Sequence, residues 1–447
     1  MDPIGDGDDQ EPRGEPFGLG DIGFFLQDLS RRLSGSSSGS WDAAAQLAGS
    51  IATGGVAEDN VDPADRLAVE QLARVAELQI AQATGRELEE PVRVEALNRT
   101  QWARRFLDDE KGLLEQLSGS LGRALQAQLG ELERELDGED APDLGALGLP
   151  GGLPPDALVR QVMGMMGPML LGMMAGSTAG HLAARALGHF ELPLPRGRGA
   201  ALTLVLRNVD EFADGWSLPR DSVRLWVCLS DVAHQQVLDL PHVRTRLEEL
   251  LHAYASGFSD DVADMERRMH DLGVGDLLGS GEPDLAALQR LAGDPDVLLG
   301  AMQSDQQREL MPRIEALVAT IEGYIDHVLD KVGDRLLEGY RPLTEALRRR
   351  RVEFGPEQRF VERLFGLELS QSTFDRGSAF VGGIVERAGE DALATLWAGP
   401  EHLPTPAEVD APGLWLARNG IELRDDLDLG TDEDFTIPDF LPPDGLD

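Results

Sequence analysis

The longest run of helical periodicity in the sequence lies between Ile314 and Leu329. Apolar residues recur there at intervals of three and four positions: Ile314, Leu317, Val318, Ile321, Ile325, Val328 and Leu329. This spacing places one continuous apolar stripe on a helix that packs against a core. The chain therefore needs helical partners for this stripe, and most of its other periodic segments also follow the helical interval.

Helix start signals support the same interpretation. Asp62 followed by Pro63 predicts a capped helix start, and Pro241 is well placed to open another helix. Other helices are predicted over 102–136, from an Asp221 cap to Leu240, and over Glu357–Phe365, Gly377–Ala388 and Pro406–Arg418. The best strand candidate is Ala201–Val209, which is short, apolar and partly β-branched. The predicted class is mainly α with a small β-sheet (α+β).

Composition divides the chain into three parts. Residues 1–40 are rich in Gly, Asp, Pro and Ser, so we expect them to be disordered. Residues 41–420 are predicted to form one domain, with an internal loop or linker at 138–156, where Gly, Pro and Asp cluster. Residues 421–447 form an acidic segment that we expect to be a disordered tail.

The charge balance excludes one class of partner. The chain carries 80 acidic and 40 basic side chains, a formal net charge of −40. Nucleic acid is not expected as a partner, because its phosphates require a basic surface. The run Arg348–Arg351 is therefore predicted to pair with carboxylates of the protein.

Two further features bear on location. Residues 161–180 carry no charge, but they include several glycines and Pro168. We predict a buried, methionine-rich helix there and no membrane span. Cys228 is the single cysteine, and it is predicted to be a small buried apolar residue. Because the sequence shows neither a disulfide pair nor a signal peptide, a cytoplasmic location is expected.

One helix carries a suggestive but incomplete pattern. Ser230 and His234 are four residues apart, so their side chains share a helix face, and Asp231 lies between them. Zinc peptidases of the HExxH type place two histidine ligands and a glutamate base at these spacings. Here His234 alone fits unchanged, and a lone helical histidine is usually structural.

A second acidic pair lies on the most periodic helix. Glu322 lies beside the apolar stripe, and Asp326 follows one turn later. In one interpretation, Glu322 is a third metal ligand and Asp326 orients a ligand histidine. An acidic pair on the solvated edge of a helix is the other, and is commoner.

Many short segments in one order resemble a single family, the bacterial zincin-like metallopeptidases. The segments are Trp41-Asp42, Val61–Arg66, Gln71–Leu78, Ala83–Gly85, Asn98-Arg99 with Trp102, Asn208-Val209, Val223–Leu229, Leu240–Arg244, Glu322–His327, Arg348–Arg351, Asp375–Phe380, and Trp397 through Leu403–Glu408. The resemblance implies a zincin-like metallopeptidase fold. It also implies zinc ligands at position 230, His234 and Glu322, a general base at position 231, and an Asp326 carboxylate that orients a ligand histidine.

The centre of this pattern departs from the family. Ser230 replaces the first histidine ligand, and a hydroxyl is a poor zinc ligand beside imidazole. Asp231 replaces the glutamate base and is one methylene shorter, and an error of about 1 Å in a catalytic group costs roughly a hundredfold in rate. We therefore expect zinc to be absent or weakly bound, and the positions of His234 and Glu322 to be vestigial.

Three functions remain open from the sequence. The first is a catalytically inactive homologue that binds a protein or peptide as a scaffold. The second is an active zinc-dependent hydrolase that uses His234, Glu322 and Asp231 with a recruited ligand, for which His242 and His327 are the candidates. The third is a helical adaptor that acts through the acidic tail.

Overall fold

The structure is a computed structural model that describes residues 38–136, 172–197, 200–258, 303–352 and 356–424. The expected disorder in 1–40 and 421–447, the loop at 138–156 and the first part of the methionine-rich segment fall largely outside these ranges. Within them the protein is mainly helical with a two-stranded parallel sheet, so the predicted class is confirmed. No helix in these ranges is long and apolar enough to cross a membrane.

The first half of the described chain surrounds the sheet. Its elements are α1 (Ser38–Thr53), α2 (Pro63–Thr84), β1 (Val94–Leu97), α3 (Arg99–Asp109), α4 (Lys111–Leu136), α5 (172–183), β2 (Leu202–Val205) and α6 (Leu206–Gly215). The predicted start of α2 is confirmed, since the Asp62 carboxylate accepts a hydrogen bond from the Ala64 amide and Pro63 opens the helix.

The second half supplies the long buried helices. Its elements are α7 (Arg220–Leu238), α8 (Pro241–Ser256), α9 (Asp305–Leu336), α10 (Tyr340–Val352), α11 (Pro356–Leu364), α12 (Gln371–Ala388), α13 (Leu393–Leu396), α14 (Pro406–Asp410) and α15 (Pro412–Arg418). The helix predicted around Ile314–Leu329 is confirmed as part of α9, and Pro241 does open α8.

Several sequence expectations were wrong in detail. The helix predicted over Pro406–Arg418 is two helices, α14 and α15, and the one predicted over Gly377–Ala388 begins at Gln371. The strand predicted over Ala201–Val209 ends at Val205, because its partner β1 is only four residues long and a helix begins at Leu206. The helical region 102–136 is two helices, interrupted at Glu110. Asp221 lies inside the first turn of α7, which begins at Arg220 after Pro219.

Helix α7 lies at the centre of the fold and is buried around most of its circumference. The Arg224 guanidinium binds Asp210 of α6 through two hydrogen bonds of 2.8 and 2.7 Å and reaches Asp65 of α2 at 3.1 Å. Cys228 is fully buried, as predicted. A charged side chain thus ties three helices together at one end of α7, while the other end carries His234.

Candidate functional site

The helices α7 and α9 bring two of the predicted site residues into contact. His234 Nε2 lies 3.2 Å from Glu322 Oε1, although the residues are 88 positions apart. Their side chains are only 6% and 9% exposed. The acid is therefore not on a solvated helix edge, which was the commoner alternative for Glu322.

The ring of His234 is held in one orientation. Its Nδ1 lies 2.8 Å from the Ser230 carbonyl oxygen, one turn earlier on α7. The Phe190 ring stacks on the imidazole, with centroids 5.3 Å apart and an angle of 14° between the planes. Both ring nitrogens have partners, and one face of the ring is covered, so Nε2 is directed at Glu322.

The contact between His234 and Glu322 has the electrostatics of an ion pair. Burial alone would lower the pKa of His234, but the adjacent Glu322 carboxylate outweighs burial and raises it. Burial would likewise raise the pKa of Glu322, but the charge and hydrogen bond of His234 lower it. The two pKa shifts run in opposite directions, and both favour the charged form of the group concerned.

Asp231 is committed to the backbone of a neighbouring loop. Its Oδ2 accepts a hydrogen bond from the His189 amide at 2.8 Å, and its Oδ1 accepts one from the Phe190 amide at 3.2 Å. Burial raises the pKa of this carboxyl to about 6, against the lowering effect of the amide donors. Both oxygens are therefore engaged in holding the loop.

Gly188 makes room for this arrangement. A Cβ atom on Gly188 would lie 2.5 Å from Asp231 Oδ2, closer than a side chain can approach. The Gly188 carbonyl also accepts a hydrogen bond of 3.1 Å from the Trp102 indole, and the His189 carbonyl accepts one of 3.1 Å from Arg196. Loop 188–190 is thus fixed from several sides.

Sequence reasoning missed this loop. His189 and Phe190 precede Asp231 by about forty residues, and no motif connects them. His189 is almost fully buried, its Nδ1 lies 3.2 Å from the Thr203 hydroxyl of β2, and burial holds its pKa well below the usual value. The only available signal was the Gly-His-Phe sequence itself, which has no specific meaning in isolation.

Asp326 has a different partner from the one expected. Its carboxylate binds the Arg351 guanidinium of α10, with two contacts of 3.3 Å. His234 has no ring nitrogen left for it, since Nδ1 and Nε2 face Ser230 and Glu322. The Arg run does pair with carboxylates as predicted, because Arg349 binds Glu345 and Arg350 binds Glu191.

The donor set does not fit a family-type zinc site. Two ligand atoms on one tetrahedral zinc ion stand about 3.3 Å apart, so the spacing of His234 and Glu322 keeps two ligand positions. The third position is Ser230, whose Oγ lies 3.5 Å from Nδ1, the nitrogen on the other side of the ring. Catalytic zinc sites use three protein ligands, and here the third is missing.

The candidate substitute ligands do not complete the set. Within the described ranges, no group of three His, Cys, Asp or Glu side chains is arranged to hold a metal ion. His327 Nε2 lies 3.7 Å from Glu390, and His242 lines a separate groove. Among the described residues, His234 and Glu322 therefore provide two of the three protein ligands that a catalytic zinc site uses.

That groove lies between α8, α9 and the segment 400–406, and its lining residue Leu317 precedes Glu322 on α9 by five positions. Its volume is about 1010 Å³. Its lining combines apolar and basic residues: Pro241, His242, Thr245, Arg246, Glu249, Leu250, Arg313, Leu317, Pro400, Leu403, Pro404, Thr405 and Pro406. Small-molecule pockets are usually 300–1,000 Å³, so the groove has room for several residues of a polypeptide.

The sequence profile of the zincin-like metallopeptidase family matches residues 40–416. The chain therefore belongs to that family, as the order of its short motifs predicted.

A solved structure supports the fold. The crystal structure of a protein from Chloroflexus aurantiacus, described as "a putative hydrolase with a novel fold", superposes with a TM-score of 0.55 at 23% sequence identity. The match covers 85% of this chain and 98% of that one. At this identity the likeness shows the fold alone. A search among curated proteins found no significant match.

Proposed function

We propose that this chain is a catalytically inactive member of the zincin-like metallopeptidase family that binds polypeptide as a scaffold. The observation that carries the proposal is the state of Asp231, which occupies the position of the catalytic base. Both of its oxygens accept hydrogen bonds from the loop amides of His189 and Phe190. A base must reach the water that it activates, and this carboxylate is buried and already engaged.

The metal position supports the same conclusion. His234 and Glu322 supply two donors, and Ser230 cannot supply the third with comparable strength. The side chains of His234 and Glu322 contact each other directly, and this contact joins α7 to α9. A former ligand pair thus acts as a contact between buried helices.

Metal analysis of the full chain, purified without chelator or affinity tag, tests the inactive state. We expect less than stoichiometric zinc in the native protein. We expect Ser230→His to bind zinc, because it restores the third ligand beside a pair that already has ligand spacing. Ser230→Asn is the matched control, since it adds a polar side chain without an imidazole. Stoichiometric zinc in the native protein, lost on His234→Ala, would overturn the proposal.

Binding in the groove tests the scaffold role. Peptides selected from a random display library against the full chain should lose binding on Thr245→Trp, which fills the groove from an exposed position on α8. Ser50→Trp, on an exposed position of α1, should leave binding unchanged. A library that yields no peptide sensitive to Thr245→Trp would remove the groove from the proposed function.

A further inference from the structure

We propose that the groove between α8, α9 and segment 400–406 is the docking site for the chain's own acidic C-terminal segment, residues 425–447. This inference rests on the proposed function, because it names the first occupant of the same groove. It would make the protein self-occupied, so that any external polypeptide must displace the tail.

Charge favours this occupant. The segment 425–447 contains nine acidic side chains and no Lys, Arg or His. The formal net charge of the whole chain is −40, so the part outside this segment is also strongly acidic and most of its surface repels the segment. The groove is an exception, because two arginines line it and Glu249 is the one acid among its lining residues. Arg246 pairs with Glu249 at 3.6 Å, so Arg313 supplies the uncompensated positive charge. Arg313 is exposed and makes no ion pair within the described residues.

The apolar residues of the tail match the other part of the lining. The piece Phe435–Pro443 reads Phe-Thr-Ile-Pro-Asp-Phe-Leu-Pro-Pro. Proline-rich sequences favour an extended conformation, so the three prolines of this piece are expected to reduce the entropy lost on binding. The groove offers apolar surface from Leu250, Leu403 and a series of prolines. Apolar contacts of these residues, in addition to the charge contacts, would fix the position of the segment in the groove.

The last described helix contacts the groove wall, and the tail follows it after six more residues. Arg418, at the end of α15, donates a hydrogen bond of 3.1 Å to the carbonyl of Leu403, which is part of the groove wall. Six residues later, the Arg424 amide donates to the Arg387 carbonyl at 2.8 Å, and the tail leaves from there. The ten residues before Phe435 span up to about 35 Å when extended, so the segment can reach the groove.

A short tether also makes a weak contact effective. A linker of this length holds its attached segment at a local concentration on the order of millimolar. A weak peptide–groove interaction is then populated within one molecule. An external peptide binds only if it competes with that local concentration, so the tail would select for tighter partners.

Crosslinking within the full chain tests the proposal. The only natural cysteine, Cys228, is fully buried and does not compete for reagent. Thr436→Cys in the tail is combined with Thr245→Cys in the groove, and a short bis-maleimide is added at low protein concentration. The control pair combines Thr436→Cys with Ser50→Cys, an exposed position on α1, which does not line the groove.

We expect the groove pair to crosslink within one chain and the control pair to react several-fold less. Adding Arg313→Glu to the groove pair should reduce the crosslinked fraction roughly fivefold, as expected for reversing an exposed charge contact. Equal yields in the two pairs, or crosslinks only between chains, would overturn the proposal. No effect of Arg313→Glu would also count against it.

The two proposals fail separately. If the tail does not crosslink to Thr245→Cys but displayed peptides still bind there, the tail is not the occupant and the scaffold role stands. If the native protein holds stoichiometric zinc through His234, the inactive state is wrong whatever the tail does. Metal content therefore tests the inactive state, and crosslink yield tests whether the tail occupies the groove.

Discussion

At the scale of single residues, the substitution that matters most is the one at position 231. A shorter acid at this position points both oxygens into loop 188–190, where two backbone amides lack other described partners. Buried amides without an acceptor are unfavourable by about 1–3 kcal/mol each. Asp231 thus acts as a structural anchor of loop 188–190.

We expect Asp231→Ala to destabilise the protein by about 3 kcal/mol or more, because it leaves the amides of His189 and Phe190 unpaired in a buried site. Asp231→Asn retains one acceptor oxygen and should be less destabilising, by about 1–2 kcal/mol. Denaturant unfolding of the full-length variants measures both values.

Asp221→Asn is the control on the same helix, where the carboxylate is exposed in the first turn and interacts only with the helix dipole. Its effect should stay below about 1 kcal/mol. If Asp231→Ala were no more destabilising than this control, the carboxylate would not be the anchor of the loop.

At the scale of elements, the crossing of α9 and α12 sets the position of Glu322. Gly323, next to Glu322, packs directly on Gly377 of α12: a Cβ on Gly377 would lie 1.9 Å from the Ala319 carbonyl oxygen, and one on Gly323 would lie 2.2 Å from the Gly377 backbone. Both helices therefore approach through backbone atoms. Any side chain at this crossing must push α9 away from α12.

Gly377→Ala should therefore destabilise the protein by about 3 kcal/mol or more, because a methyl group there overlaps the backbone of α9. Gly382→Ala, on the same helix with open space around it, should be neutral or stabilising by up to about 1 kcal/mol, since alanine favours the helix. Thermal unfolding compares the two. Equal effects of these changes would show that the helices are not in backbone contact.

At the scale of the whole molecule, buried charge couples separate parts of the fold. Glu110, between α3 and α4, faces Arg196, whose Nε lies 3.5 Å from Glu110 Oε1. Arg196 also binds Asp109 at 3.1 Å and the His189 carbonyl, so the same guanidinium supports loop 188–190. Burial raises the pKa of Glu110 to about 7, although Arg196 opposes the shift.

This shift predicts a pH dependence of stability. The folded pKa of Glu110 lies above its ordinary value of 4.5, so its contribution is fully present below pH 4.5 and is lost as the pH rises through about 7. The shift of this pKa from 4.5 to about 7 corresponds to about 3 kcal/mol in the free energy of unfolding. Asp231, with its pKa raised to about 6, contributes with the same sign over a lower range.

We expect Glu110→Gln to remove the Glu110 part of this dependence. The free energy of unfolding of the native protein should fall relative to the variant between pH 5 and pH 8. Glu115→Gln, on the exposed face of α4, is the matched control and should follow the native curve. A constant difference between native protein and Glu110→Gln over this range would contradict the assignment.

Sequence alone determined the parts of this protein that depend on local spacing. Apolar intervals located α9, a cap and a proline located the starts of α2 and α8, and ordered motifs located His234 and Glu322 as candidates. Each of these patterns spans only a few neighbouring residues, so it can be recognised in the sequence without knowledge of the fold.

Tertiary structure decided what the candidates do. Sequence identified Asp231 as a shortened base, but only the fold shows that amides forty residues earlier claim its oxygens. Sequence left two roles open for Asp326, orienting a ligand histidine or lying on a solvated helix edge, and the fold places Arg351 beside it. Helix spacing determines which face a side chain occupies. The partner on that face comes from another element, and its position depends on how the whole chain packs.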